Sequence, residues 1–236
     1  MAEKNSNLDS NFLDMRVATY KAVVGLVPCI GPFLSEFVGA VIPEQRVDRL
    51  VKYTKILDEK IQSISHNLLE VAKSNEEIID LIEEGFIQSA RAITNERREY
   101  IANVVCNGIA DSLKNVEDSK YILKLLSELN DQEIIWLRFY LYPGIDIDNE
   151  FRLKHQNILQ PISREIGINE TSIQKAAIQD SYKNHLERLN LIYLNFQIDK
   201  VSKQPKLDTK GKPKVAYISL TPLGKLVLKQ IGLFEN

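Results

Sequence analysis

The side chains of this sequence that could take part in binding chemistry lie mostly in its C-terminal third. Four of them fall at the start of a predicted helix, where they could hydrogen-bond to base edges in a major groove: Thr171, Ser172, Gln174 and Lys175. Five more are lysines of a following loop that could meet phosphates: Lys203, Lys206, Lys210, Lys212 and Lys214. These nine residues are the candidate nucleic-acid contacts of the chain.

The same helix also has features of a protein-docking or purely structural element. Its acidic residues offset its basic ones, with Glu170, Asp180 and Glu187 set against Lys175, Lys183 and Arg188. No arginine lies in its first turn, where it could contact guanine through two hydrogen bonds. Lysines on a loop are also what any solvated loop carries. DNA contact and protein docking therefore both stay open for this region.

The motifs of the common catalytic sites are absent. The sequence contains no GxxxxGK[ST] phosphate loop, no GxSxG elbow, no HExxH and no GxGxxG. The three histidines, His66, His155 and His185, have no recognisable partner in sequence, and each is expected to be a solvated helix residue. Asp146 and Asp148 lie in an acidic loop that lacks the glycine and distal glutamate of a calcium loop. We expect a non-enzymatic protein with no metal and no cofactor.

The composition indicates a globular protein of the cytosol. With 44% hydrophobic residues among 236, the chain can bury a core without a disulfide or a metal. Cys29 and Cys106 lie far apart with no further cysteine or histidine at ligand spacing, which suits a reducing compartment. The first ten residues carry both charge signs and lack a secretory signal pattern. We therefore expect a cytoplasmic location.

The net charge of −2 conceals opposite charges in the two halves. Residues 1–118 hold 13 Lys and Arg against 19 Asp and Glu, whereas residues 119–236 hold 17 against 13. A negative first half and a positive second half suggest two surfaces with different partners.

An apolar segment near the N-terminus could be core or membrane-active. Residues 22–42 carry a single charge, at Glu36, over a length that could cross a bilayer. Pro28, Gly31 and Pro32 break a helix in the middle, so two short helices joined by a turn are predicted. Packing of this hairpin into a bundle is favoured over insertion into a membrane.

Amphipathic helices follow this segment. Apolar positions from Val47 to Val71 keep a heptad spacing, which predicts one long helix. A second helix is predicted after a cap at Ser74 or Asn75, and a third begins at Asn95 with Glu96 to Glu99 on its outer face. Short links between such helices favour an antiparallel bundle over residues 1–117.

Residues 118–236 have a different pattern. Helices are predicted over 121–129, from a capping box at Asn130 and Glu133 to the break at 142–144, over 152–166, and over 170–191. Strands over 192–198 and 215–220 flank the lysine loop, and a last helix opens at Thr221-Pro222. Helix, helix, turn, helix and hairpin is the order of a winged helix.

Three segments in this order carry a resemblance to winged-helix domains. Residues 162–169 resemble the helix-turn-helix step, residues 186–192 the end of a recognition helix, and residues 217–224 the second wing strand with its closing helix. The N-terminal half resembles uncharacterised helical proteins of bacterial defence loci, with a layout similar to the abortive-infection alpha group. The resemblance implies a mainly α chain: an antiparallel helical bundle followed by a winged-helix domain with a small β-hairpin.

The sequence is compatible with three functions. The first is a non-enzymatic adaptor or regulatory subunit of a bacterial, antiphage defence complex that docks proteins through both halves. The second is a DNA-binding regulator that uses the winged helix, and the third is a membrane-disrupting effector that uses residues 22–42. The heptad and the charge asymmetry favour the adaptor, with a protein partner and with nucleic acid contacted inside a complex.

Overall fold

The structure is a computed structural model that describes residues 44–64, 72, 75–110, 116–144, 148–160, 162, 169–208 and 211–234. These residues are mainly helical and include one small antiparallel sheet of two strands. The backbone divides into two compact units, Met1–Ser127 and Glu128–Asn236. The sequence-based boundary fell ten residues earlier, after residue 117, and helix α4 runs across that position.

The N-terminal unit is built on four helices among its described residues: α1 (Glu44–Ile61), α2 (Glu76–Arg91), α3 (Asn95–Ala110) and α4 (Val116–Glu128). Asn75 caps α2, accepting hydrogen bonds from the backbone N–H groups of Glu77 and Ile78, as the sequence predicted. The predicted heptad is confirmed at Leu50, Thr54, Leu57 and Ile61, which are all buried.

Successive helices of this unit run antiparallel. Tyr53 of α1 meets Phe86 of α2 edge to face at 5.1 Å, and further back along α1 Arg49 reaches the far end of α2. At Gly85 of α2, a Cβ atom would lie 2.7 Å from both Tyr53 Oη and a Val105 methyl carbon of α3. Glycine is therefore what allows α2 to approach α1 and α3 so closely.

Arginine side chains cap the ends of two helices. Arg49 donates to the carbonyls of Ala90 and Arg91 at 3.3 and 3.4 Å, and Arg98 donates to the Ala92 carbonyl at 2.6 Å. Arg97 donates to the carbonyl of Leu126 near the end of α4. Cations stabilise these carbonyls, which have no partner within their own helix.

The expectation that residues 96–99 lie on the outer face of the helix is wrong for Arg98. This side chain is 3% exposed, and its guanidinium also donates to Asn95 Oδ1 at 2.5 Å. Burial, with a smaller effect from neighbouring Arg49, lowers its pKa. The spacing of charged residues along a helix does not show that backbone carbonyls of a neighbouring helix end lie within reach of one of these side chains.

The C-terminal unit is centred on helix α5 (Asp131–Phe139). Asn130 and Glu133 form the predicted capping box, with both hydrogen bonds at 2.9 Å. The helix ends at Phe139, before the break at 142–144. Short helices α6 (Asn149–Lys154) and α7 (Gln156–Leu159) occupy much of the predicted 152–166 helix, since the chain turns at His155. Helix α8 (Glu170–Arg188) follows.

A hairpin and a last helix complete this unit. Strands β1 (Ile192–Phe196) and β2 (Val215–Leu220) pair antiparallel, with Tyr193 opposite Ser219 and a register shift after Asn195. Thr221 caps helix α9 (Pro222–Gln230) through a hydrogen bond from the Gly224 N–H at 2.8 Å. A Cβ at Gly224 would lie 2.1 Å from the carbonyl oxygen of Leu191, so the helix rests directly on the backbone before β1.

Several predictions concern residues outside those described: the 22–42 hairpin, Cys29, His66, the heptad positions Leu68 and Val71, and most of the 162–169 step. Within the described parts of the chain, no helix is long and apolar enough to cross a bilayer.

Candidate docking surfaces of the C-terminal unit

Helix α8 presents the first group of candidate residues to solvent. Its N-terminus is fixed by Asn169, whose side chain accepts from the Ser172 N–H at 2.9 Å. Thr171, Gln174 and Lys175 are exposed on the first turns, and Ser172 is half-buried. Three of the four side chains are therefore accessible to solvent, and their role in binding stays a prediction.

The same part of α8 also exposes aliphatic side chains. Ile173 and Ile178 are 60% and 50% exposed, and Ala177 beside them is exposed as well. In the whole helix of 19 residues, only Ala176 and Leu186 are buried. A helix with so little buried surface has an apolar stripe that a partner could cover.

The C-terminal part of α8 is anchored to α5 by polar contacts. Nδ1 of His185 lies 2.7 Å from Oε1 of Glu133, and the Glu133 carboxylate is almost completely buried. Nζ of Lys183 lies 5.1 Å from the centre of the Trp136 ring, within the range of a cation–π contact. His185 was expected to be a solvated residue without a partner, and this expectation is wrong. Its partner is 52 residues away in sequence.

The described end of the acidic loop before α6 contacts an arginine. Arg138 lies 2.7 Å from Asp148 and stands over the rings of Tyr142 and Phe151 at 5.1 and 5.2 Å. Asp146 is outside the described residues. Across the described ranges, no three His, Cys, Asp or Glu side chains are grouped so that they could hold a metal ion.

The loop between β1 and β2 is ordered by backbone hydrogen bonds. Three chain segments converge at Gln197, Lys206 and Lys214: Gln197 N–H donates to Lys214 O at 2.8 Å, Lys206 N–H to Gln197 O at 2.7 Å, and Lys214 N–H to Lys206 O at 2.7 Å. We call residues 192–220 the basic hairpin. Beyond the convergence it forms a first lobe, residues 198–205, and a second lobe, whose described residues are 207, 208 and 211–213.

Aspartate side chains close the turns of both lobes. Asp199 Oδ1 accepts from the N–H groups of Val201 and Ser202 at 3.0 and 2.9 Å, and these bonds lower the pKa of Asp199. Asp208 Oδ1 accepts from the Lys212 N–H at 2.9 Å, while Gly211 adopts a left-handed conformation. The two acidic residues of the basic hairpin are thus directed at its own backbone.

The basic hairpin has an excess of positive charge. The segment holds six lysines and two aspartates, a net +4, which equals the whole excess of residues 119–236. Its described lysines are all exposed: Lys200, Lys203, Lys206, Lys212 and Lys214. None of these five forms an ion pair with another described residue. Lys210 is outside the described residues.

Apolar and aromatic side chains are exposed between these lysines. Of the fourteen most exposed large apolar residues in the described chain, seven lie in the basic hairpin: Tyr193, Phe196, Ile198, Val201, Leu207, Val215 and Tyr217. Tyr193 and Tyr217 share one sheet face with Asn195 and Ser219, which hydrogen-bond at 3.0 Å. This density of exposed apolar side chains makes the basic hairpin a candidate contact surface.

The titratable groups inside the N-terminal unit are poor candidates for chemistry. Burial raises the pKa of the Cys106 thiol to about 12, and burial also raises the pKa of Tyr53. A thiol in such surroundings is not a nucleophile near neutral pH.

Sequence reasoning located the lysines but missed the apolar residues between them and the order of the loop. Two signals were present: Pro205 and Pro213, which form isolated bridges with Ile198 and Leu207, and the Asp208-to-Gly211 turn. The spacing of the lysines indicates charge alone, although three of them directly precede an exposed aliphatic residue.

Comparison with other proteins adds no relative: no protein-family model, no curated protein and no solved structure matches this chain.

Proposed function

We propose that this chain is a non-enzymatic adaptor or regulatory subunit, whose C-terminal unit is a winged-helix domain that docks a protein. In support of a winged helix, α5, α7 and α8 are followed by the hairpin and the closing helix α9, and α8 packs on α5. The resemblance of the N-terminal half to proteins of bacterial defence loci is the basis for proposing an antiphage defence complex as the setting.

The observation that carries the docking function is the exposed apolar stripe of α8. Ile173, Ala177 and Ile178 occupy the part of the helix that would read bases in a DNA-binding winged helix. Covering these aliphatic side chains with a protein would remove their apolar surface from water and so favour binding. Contact with DNA would contribute less binding free energy at these positions. The first two turns offer a single cation, Lys175, and they also carry the carboxylate of Glu170, whose Oε1 accepts from Gln174 Nε2 at 3.4 Å.

Site-specific photocrosslinking in cells that carry the gene natively tests this function. A benzoylphenylalanine at position 173 or 178 should give a discrete protein adduct. The same group at position 226 of α9, where Leu226 is also exposed, should not. An Ile173→Ser/Ile178→Ser variant that folds normally should lose the partner. Adducts with DNA alone, or equal adducts from position 226, would contradict protein docking.

A second candidate, a DNA-binding regulator, is favoured by the excess of exposed lysines on the basic hairpin. Fluorescence anisotropy with a random duplex at physiological salt should give binding no tighter than the roughly 10⁻⁴ to 10⁻⁶ M of non-specific attraction. Replacing Lys203, Lys206, Lys210 and Lys212 would then weaken binding to every duplex alike. Nanomolar binding that changes with Gln174 or Lys175 would instead establish sequence reading, since only base-edge contacts carry sequence information.

A further inference from the structure

The two lobes of the basic hairpin combine cations and aliphatic side chains in a regular way. Three lysines directly precede an exposed aliphatic residue: Lys200-Val201 in the first lobe, Lys206-Leu207 where the segments converge, and Lys214-Val215 at the start of β2. Val201 is the most exposed large apolar residue of the described chain, at 92%. The described part of the hairpin therefore exposes aliphatic side chains next to lysines, with Val201 at the turn of the first lobe.

The alternation of lysines and aliphatic residues fits a binding surface with an anionic outer layer and an apolar layer below it. A protein interface groups its apolar residues at the centre and keeps charge at the rim, whereas here charge and apolar groups alternate along the chain. A nucleic-acid backbone would meet the lysines but would leave Val201, Leu207 and Ile198 in water. Anionic lipid headgroups over acyl chains match both kinds of side chain.

The hydrogen bonds of the lobes fix this arrangement before any contact is made. The backbone bonds among Gln197, Lys206 and Lys214 hold two of the lysines together, and Asp199 holds the turn that exposes Val201. Little ordering is therefore needed on binding. The two aspartates accept backbone N–H groups of the same loop, so six lysines against two aspartates leave the hairpin with a net +4.

We infer that the basic hairpin is a peripheral contact for an anionic lipid surface, with the lysines at the headgroups and Val201 and Leu207 in the interface. Cytoplasmic leaflets carry the negative potential that such a segment senses, and each lysine near it contributes about fivefold in affinity. This contact is separate from the protein docking proposed for α8 and would bring the docked partner to the membrane.

Partition of the full-length chain onto vesicles tests the contact. Phosphatidylcholine vesicles with 30% phosphatidylglycerol should bind it at 50 mM salt and release it at 500 mM, and pure phosphatidylcholine vesicles should not bind it. Lys206→Glu/Lys214→Glu should weaken binding at least about 25-fold. The matched control, Lys225→Glu/Lys229→Glu, makes the same charge change on exposed lysines of α9 and should change it less than threefold.

The aliphatic residues provide the second arm of the experiment. Val201→Ser/Leu207→Ser keeps every charge and should still weaken partition several-fold, with normal folding checked by circular dichroism. If Lys206→Glu/Lys214→Glu does not fold, Lys206→Gln/Lys214→Gln is tested in its place. Three outcomes would overturn the lipid contact: no binding to anionic vesicles at low salt, equal loss in the α9 control, or full binding by the serine variant. Undiminished binding by all hairpin variants would also overturn it, because another segment, such as residues 22–42, would then be responsible.

Discussion

Among single residues, Arg98 shows how a charged side chain can be an internal part of the fold. Its guanidinium is buried against the link between α2 and α3, where it donates to the Ala92 carbonyl and to Asn95. Removing it would leave a buried carbonyl without a donor. The arginine therefore contributes to stability through hydrogen bonds rather than through surface ion pairs.

Arg98→Met keeps the aliphatic stem and removes these hydrogen bonds. We expect it to lower the free energy of unfolding by about 1–3 kcal/mol, measured by urea denaturation. Arg46→Met, on an exposed position of α1, is the control and should change stability by less than about 0.5 kcal/mol. Equal effects of the two substitutions would show that Arg98 is not engaged as described.

Cys106 offers a chemical test of the N-terminal core. Because burial raises the pKa of this thiol to about 12, its thiolate fraction at pH 8 is on the order of 10⁻⁴. Iodoacetamide at pH 8 should leave Cys106 unmodified in the native protein and label it completely in urea, as read by peptide mass spectrometry. Rapid native labelling would mean that the helices around it open readily.

The residue scale also marks the limit of inference from sequence. The cap at Asn75 and the capping box at Asn130 and Glu133 were predictable, because both partners lie within three residues. The roles of Arg98 and His185 were not predictable, because each depends on the position of a chain segment that is distant in sequence or that turns between two helices. Hydrogen bonds between residues close in sequence can be predicted from their spacing, whereas the burial of a polar group depends on the tertiary structure.

At the scale of elements, the contact between α9 and the hairpin depends on Gly224. In an unconstrained helix, replacing glycine by alanine stabilises by about 0.4–1 kcal/mol. Here the added Cβ would meet the Leu191 carbonyl, whose oxygen also accepts the Thr221 N–H at 3.1 Å. We expect Gly224→Ala to destabilise the protein by about 1–3 kcal/mol in thermal or urea unfolding. Lys225→Ala, the next residue and exposed, is the control; a stabilising Gly224→Ala would disprove the close packing.

The first lobe of the basic hairpin should open in acid. The folded-state pKa of Asp199 lies below the usual aspartate value, since its carboxylate accepts backbone hydrogen bonds. The stabilisation is therefore fully present above about pH 3.9 and is lost as pH falls through the lower, folded-state pKa. Amide proton shifts of Val201 and Ser202, followed from pH 6 to pH 2, should show a midpoint below 3.9. Asp199→Ala should abolish the transition, and a midpoint at or above 3.9 would contradict these hydrogen bonds.

Elements with a strong period or a clear stop signal were predictable. Strand β2 and helix α9 have the predicted starts, because β-branched and aromatic residues lead directly into Thr221-Pro222. The convergence at Gln197, Lys206 and Lys214 was not predictable, since backbone hydrogen bonds between loop segments leave no side-chain pattern. The helix predicted over 152–166 instead turns at His155, a residue with no helix-breaking signature.

At the scale of the whole molecule, the C-terminal unit has an internal core of its own. Leu137, Leu186, Leu191 and Val227, from different elements of this unit, are fully buried, and α5 packs against α7, α8 and α9. The sequence indicated a change in composition and charge between the halves. The point of division could not be read from it, because α4 continues as an unbroken helix to Glu128.

A fragment of residues 128–236 should therefore fold without the rest of the chain. Domains with their own core usually do so, and the capping box at Asn130 needs only residues that the fragment contains. We expect a helical circular dichroism spectrum, dispersed amide signals and one cooperative urea transition. Leu186→Asp in the same fragment is the matched control, because an unpaired charge at a fully buried position should abolish the transition. If the parent fragment gave a collapsed spectrum without a cooperative transition, its core would depend on residues 1–127, and the C-terminal unit could not be the separable docking module proposed here.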